Sequence, residues 1–125
     1  MSRDDVIRVF HCDDSEAFTR LVHLWLDEHT DLEWVGAERD PGRVAASVAD
    51  AHPDVVLLDT MGNPGDGGLI ASVRDAAPAA RIIVYSGYVA LMGAGELGDG
   101  ADAYLDKADD EEKLVETVRS VYSST

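Results

Sequence analysis

Cysteine, lysine and long apolar runs are all scarce in this 125-residue sequence, which has one cysteine, Cys12, and two lysines, Lys107 and Lys113. A single cysteine excludes an internal disulfide. Its place in an apolar run suits a buried, reduced thiol, which favours a reducing cytoplasm. No stretch approaches the roughly 18 uninterrupted apolar residues of a membrane span, and no charged-then-apolar leader opens the chain. Neither spanning nor secretion is indicated. Positive charge is the other shortage: 10 Lys and Arg face 25 Asp and Glu, for a net charge of −15. The acids are spread along the chain and not gathered in a tail, so the surface repels nucleic acid and direct phosphate-backbone binding is not expected. His11, His23, His29 and His52 show no metal-ligand spacing and are read as packing or surface residues. With no internal repeat, linker or low-complexity segment, residues 1–125 read as one domain. That length buries a substantial core without disulfides or structural metal.

What is present is alternation. Residues 6–12 (VIRVFHC) form a β-type run that ends in Asp13-Asp14, with Ser15 as a cap and Glu16 as a helix-opening residue. Phe18, Leu21, Val22, Leu24, Trp25 and Leu26 then give a broad apolar stripe over 16–29, with Trp25 expected in the core. Residues 32–37 (LEWVGA) read as a second strand, and Pro41 opens a second helix that His52-Pro53 ends. Four apolar residues, Val55–Leu58, make a third strand, and a helix over 68–77 stops at Pro78. Residues 81–86 (RIIVYS) are the fourth strand. A fourth helix is expected at 89–97, although Gly93, Gly95 and Gly98 interrupt it at about 1 kcal/mol each. A short strand, AYLD at 103–106, precedes a final helix whose Leu114, Val115, Val118 and Val121 are spaced for one face. Five β/α alternations predict an α/β fold, a five-stranded parallel sheet with helices on both faces and right-handed crossovers.

On that topology the carboxyl ends of the strands carry Asp13 and Asp14, then Asp59, Ser86 and Lys107. Ligands of open α/β sheets bind outside those ends. An Asp after a strand also suits an ordinary turn, so Asp59 alone decides nothing. Convergence of three carboxylates is different, because like charges repel and a hard divalent cation such as Mg²⁺ relieves them with oxygen ligands. Lys107 and Ser86 then suit a phosphoryl group, with Asp59 as the acceptor nucleophile.

The acidic pair Asp13-Asp14, the acceptor position in PDVVLLD, Ser86-Gly87 and GADAYLDK ending at Lys107 together resemble the receiver domain of bacterial two-component response regulators. The resemblance covers nearly the whole chain. It implies a flavodoxin-like (βα)5 fold with strand order 2-1-3-4-5, and transfer of a phosphoryl group from a sensor histidine kinase to Asp59. It also implies Mg²⁺ bound by Asp14, Asp59 and the Met61 backbone carbonyl, with Asp13 acting mainly through water. Ser86 and Tyr104 would form a coupled switch, and Tyr88 a position that tunes dephosphorylation. The output face would be the fourth helix, the fifth strand and the last helix, reaching a downstream protein or a C-terminal output domain. A phosphorylation-dependent homodimer fits the same picture. Such a domain is a signalling module and not an enzyme.

The finer resemblance is to the NarL/FixJ-type subgroup, whose members commonly lack the proline after the lysine, where Ala108 stands here. In that subgroup a helix-turn-helix domain follows the receiver, and this chain reads as either a free-standing or an excised receiver. Two departures stand out. Met61 lies two residues and Pro64 five residues beyond Asp59, where the family places a Met-Pro pair three and four beyond, so the loop is one residue longer. The glycine-broken fourth helix is the second, and invites ordering on phosphorylation or partner binding. Rival readings are a degenerate receiver that binds a partner constitutively, and a Mg²⁺-dependent phosphohydrolase. Against the latter, Met61 occupies the place of a second acid two residues after Asp59. Gly93, Gly95 and Gly98 satisfy G-x-G-x-x-G, but they lie past the fourth strand with too little chain left for a dinucleotide-binding βαβ unit.

Overall fold

A computed structural model of the chain describes residues 6–59, 67–87 and 101–123. Strands β1 (Ile7–Cys12), β2 (Leu32–Glu38), β3 (Val55–Leu58), β4 (Arg81–Ser86) and β5 (Ala103–Asp106) form a sheet in the order β2-β1-β3-β4-β5. Every neighbouring pair is parallel. The connecting helices are α1 (Glu16–Asp27), α2 (Val44–Ala51) and α3 (Gly67–Ala76), and a C-terminal helix spans Glu111–Ser123. The helix expected at 89–97 lies outside the described residues, as do Met61, Pro64 and Tyr88.

Side chains on a strand alternate between faces, and here both faces are buried. Val9, Leu57, Ile83, Tyr85 and Leu105 pack with Val22 and Leu26 of α1 and with Leu114 and Val118 of the C-terminal helix. Phe10, Cys12, Val56, Leu58, Ile82 and Val84 face the other way, against Val44 and Val48 of α2 and Ile70 and Val73 of α3. All four residues of β3 are buried, as a strand between two helical layers requires. Cys12 is a free, buried thiol whose pKa is pushed up chiefly by that burial, which leaves it in the unreactive protonated form.

Helix boundaries follow local chemistry. Ser15 Oγ accepts the Phe18 amide at 3.2 Å and caps α1. The stripe on α1 is narrower than its sequence suggests, because Leu21 and Leu24 are 40% and 60% exposed and Trp25 is only partly buried at the core edge. Pro41 begins a 3-10 turn (Pro41–Arg43) instead of the α-helix itself, since Asp40 accepts the Gly42 amide at 2.9 Å and α2 starts at Val44. In β2, the pairing with β1 slips between Val9 and Phe10, and Gly36 sits at φ +151° with a Cβ position 3.0 Å from the Phe10 ring. That bulge needs glycine.

The end of α2 depends on a residue from β1. His52 adopts the left-handed conformation, φ 50° and ψ 56°, and the terminal carbonyls of Ala51 and His52 accept bonds from the Arg8 guanidinium at 2.7 and 3.2 Å. A cation at a helix C-terminus also meets the negative end of its dipole. The Arg8→Ala variant is expected to lose about 1 kcal/mol of stability, below the range for charge-assisted bonds, because the side chain is 43% exposed. Urea unfolding checks this, and an unchanged midpoint would show that water replaces the guanidinium at no cost.

Candidate functional site

Register brings the carboxyl ends of the strands to one edge. Cys12 pairs with Leu58, Leu58 with Val84, and Ser86 with Asp106, so the residues that follow emerge side by side. The ladder extends one residue further, with the Asp59 amide donating to the Cys12 carbonyl at 2.8 Å and the Asp13 amide to that of Glu38 at 3.0 Å. Asp13 and Ser86 are fully buried, Asp59 is 6% exposed, and Asp14 is exposed.

One carboxylate oxygen from each of Asp13, Asp14 and Asp59 lies within 4.8 Å of the others. Lys107 Nζ sits 2.8 Å from Asp13 Oδ2 and 3.5 Å from Asp59 Oδ2, and the Lys107 amide donates to the Ser86 carbonyl at 3.3 Å. The five positions singled out in the sequence therefore lie at one strand-end edge. Three carboxylates against one ammonium leave an excess of two negative charges. Exposed Asp14 and slightly exposed Asp59 open the cluster to solvent, and hard oxygen donors with that residual charge fit a divalent cation of the Mg²⁺ type. Tyr104 of β5 is half-buried, pairs in register with Val84 and packs against the α2/α3 layer. Met61 and Tyr88 lie outside the described residues, so the carbonyl ligand and the tuning position stay expectations from the resemblance.

Electrostatics tie Asp13 and Lys107 together. Burial alone would raise the Asp13 pKa, but the approach of His11, the Lys107 ammonium and the hydrogen bond from the Ser15 amide together outweigh it and hold the carboxyl below its ordinary value. For Lys107, burial pulls the other way and is outweighed by Asp13 and Asp59, which raise its pKa. The signs set a pH dependence. A depressed carboxyl contributes stability above its ordinary value of 3.8 and loses it as pH falls through the folded value. Metal-free protein is therefore expected to lose stability on acidification below about pH 4, and Asp13→Asn to flatten that loss, read as urea midpoints across a pH series. Parallel acid limbs for the two proteins would remove Asp13 from the account.

One neighbour of the site escaped the sequence reading. His11, expected to be a packing or surface residue, places Nε2 3.5 Å from Asp13 Oδ2. The available signal was period two, since residues two apart on a strand share a face.

No protein-family model matches the chain. Among curated proteins it is 28% identical over 121 residues to the oxygen regulatory protein NreC of Staphylococcus haemolyticus, and 27% identical over 123 residues to that of Staphylococcus aureus. Each match covers 93% of this chain and 55% of the relative, so the chain spans about half the length of the curated relatives it matches. Among solved structures, the response regulator domain of Thermotoga maritima CheB superposes with a TM-score of 0.78 at 26% identity, covering 96% of this chain and 98% of that one. The signal receiver domain of NarL from Mycobacterium tuberculosis has a TM-score of 0.81 at 24% identity, with 97% and 99% covered, and bears on the fold. The chain is thus similar along almost its whole sequence to NreC and to the response regulator domain of CheB, a likeness that supports a NarL-like receiver domain.

Proposed function

We propose that Asp59 accepts a phosphoryl group from the phosphohistidine of a sensor histidine kinase, in a cytoplasmic pathway, and that the domain then redirects a downstream protein or an attached output domain. The observation that carries this reading is Lys107 Nζ at 2.8 Å from Asp13 and 3.5 Å from Asp59, beside the three-carboxylate cluster. An Asp59 oxygen attacks phosphorus in line with the P–N bond. The P–O bond forms as the P–N bond breaks, and the kinase imidazole leaves with the electron pair. Asp13, Asp14, Asp59 and the Met61 carbonyl would hold Mg²⁺, which when bound offsets negative charge on the phosphoryl oxygens. Lys107 supplies a second cation to those oxygens, and the Ser86 hydroxyl donates to one of them. Ser86 and Tyr104 occupy adjacent strands, β4 and β5. Their movement together would alter the face made by residues 89–97, β5 and the C-terminal helix, the surface for output or a phosphorylation-dependent homodimer. Tyr88 would tune the return to the unphosphorylated state. The chemistry is confined to the domain's own Asp59, so the chain signals and does not turn over a free substrate.

A constitutive, phosphorylation-independent binding module is the second reading, and the longer loop marked by Met61 and Pro64 favours it. Intact mass after incubation with a small acyl phosphate separates the two. One phosphoryl adduct, present with Mg²⁺ and absent with a chelator, is the expected result. No adduct with any divalent metal would transfer the lead to the constitutive module.

A further inference from the structure

His11 is the penultimate residue of β1, fully buried, and lies on the same sheet face as Asp13. Two aromatic rings clamp it. Phe18 of α1 meets the imidazole edge-on at 5.8 Å between centroids, and Tyr85 of β4 stacks against it at 5.9 Å with 27° between planes. Burying an imidazole in such surroundings costs desolvation that an aliphatic residue would avoid, unless its polar edge is used. That edge is directed at one place: Nε2 approaches Asp13 Oδ2 at 3.5 Å, the outer limit of hydrogen-bond reach, and neither ring nitrogen makes a hydrogen bond among the described residues.

Asp13 is thereby approached from three directions. Oδ1 accepts the Ser15 amide at 2.8 Å, while Oδ2 faces both His11 and the Lys107 ammonium, the latter at 2.8 Å. The Lys107 ammonium also lies 4.9 Å over the centroid of the Phe18 ring, the ring that clamps His11. His11, Phe18, Lys107 and Asp13 thus close a ring of contacts around one metal-site carboxylate. A carboxylate free to rotate would lose conformational freedom when a cation arrives, and one already held has lost it on folding.

We propose that His11 is a positioning residue for the metal site, fixing the rotation of the Asp13 carboxylate through Nε2–H while Phe18 and Tyr85 fix the imidazole. The inference rests on the reading that Asp13, Asp14 and Asp59 hold Mg²⁺. It gives the interior of the domain a direct part in metal affinity, because α1 and β4 then act on the site through one buried side chain.

The test is Mg²⁺ binding to the metal-free, unphosphorylated chain by calorimetry, for wild type, His11→Leu and His11→Gln. Leucine keeps apolar volume and removes the donor, whereas glutamine presents an N–H near the position of Nε2. His11→Leu is expected to weaken Mg²⁺ affinity about tenfold, the lower end for residues that orient metal ligands, and His11→Gln to recover most of it. If His11→Leu does not fold, His11→Asn takes its place, since its amide stops at the Nδ1 position, and it must show the same loss. Wild-type affinity in the leucine or asparagine variant overturns the role of His11. So does a glutamine variant as weak as leucine, which would mean that ring shape and not the donor matters. Wild-type protein that takes up no Mg²⁺ overturns the underlying metal reading as well, and is distinguished by the wild-type titration alone.

Discussion

Asp59→Asn is expected to abolish the phosphoryl adduct that the proposed function predicts for the unmodified chain with a small acyl phosphate and Mg²⁺. The drop should be at least about a hundredfold in rate, or roughly 2.7 kcal/mol of barrier. An amide has nearly the shape of the carboxylate, so packing is preserved at a residue that is 6% exposed. It lacks the anionic oxygen that must form the bond to phosphorus. No neighbour is placed to substitute. Asp13 is fully buried, with Oδ1 engaged by the Ser15 amide and Oδ2 by Lys107. Asp14 is exposed and follows β1, one strand away from the position Asp59 takes after β3. Because the substitution removes one of three mutually repelling carboxylates, the metal-free variant should be at least as resistant to urea as wild type. Intact mass and urea unfolding on the same preparations check both halves. Equal labelling of the variant would mean that the acceptor lies elsewhere, and a folded variant without adduct excludes loss of structure as the cause.

Much of this site was legible in the sequence because it depends on strand ends. Four apolar residues running into Asp59, and a β/α alternation that forces parallel strands, already place Asp13, Asp59, Ser86 and Lys107 at one edge. The register then shows how, through the pairs Cys12 with Leu58 and Ser86 with Asp106. Less legible were features set by tertiary geometry. The six apolar residues of α1 span more of the helix circumference than a sheet face covers, so Val22 and Leu26 are buried while Leu24 stays 60% exposed. The bulge at Gly36 depends on the Phe10 ring of the neighbouring strand. His11 was hidden for the same reason. Its clamp is assembled from α1 and β4, and a lone histidine in an apolar run carries no mark of either.

Lys107→Met is expected to damage the domain twice, once in stability and once in chemistry. In the metal-free protein Lys107 Nζ is the cation of an ion pair with a carboxylate that is fully buried, and removing it leaves Asp13 with His11 and the Ser15 amide alone. Breaking a fully buried pair costs about 3 to 5 kcal/mol because the remaining charge is uncompensated. Here the cost should be about 2 kcal/mol, since Lys107 is 26% exposed and the other donors to Asp13 remain. Methionine keeps most of the length and the apolar stem of lysine, so lost packing contributes little, and what leaves the Phe18 ring is the ammonium 4.9 Å over its centroid. The deficit should shrink as Mg²⁺ is added, because a cation among Asp13, Asp14 and Asp59 supplies the positive charge that the side chain no longer gives. The adduct should not recover in step. Phosphoryl oxygens on Asp59 would still lack the ammonium that neutralises them, and adduct formation should stay slowed by about a hundredfold, within the range for losing one electrostatic donor at a transition state. Urea midpoints with chelator and with Mg²⁺, set beside adduct formation at saturating Mg²⁺, separate the two effects. A midpoint unchanged with chelator would show that Asp13 does not depend on the ammonium. Full recovery of adduct formation with Mg²⁺ would show that Lys107 serves the fold and not the phosphoryl group.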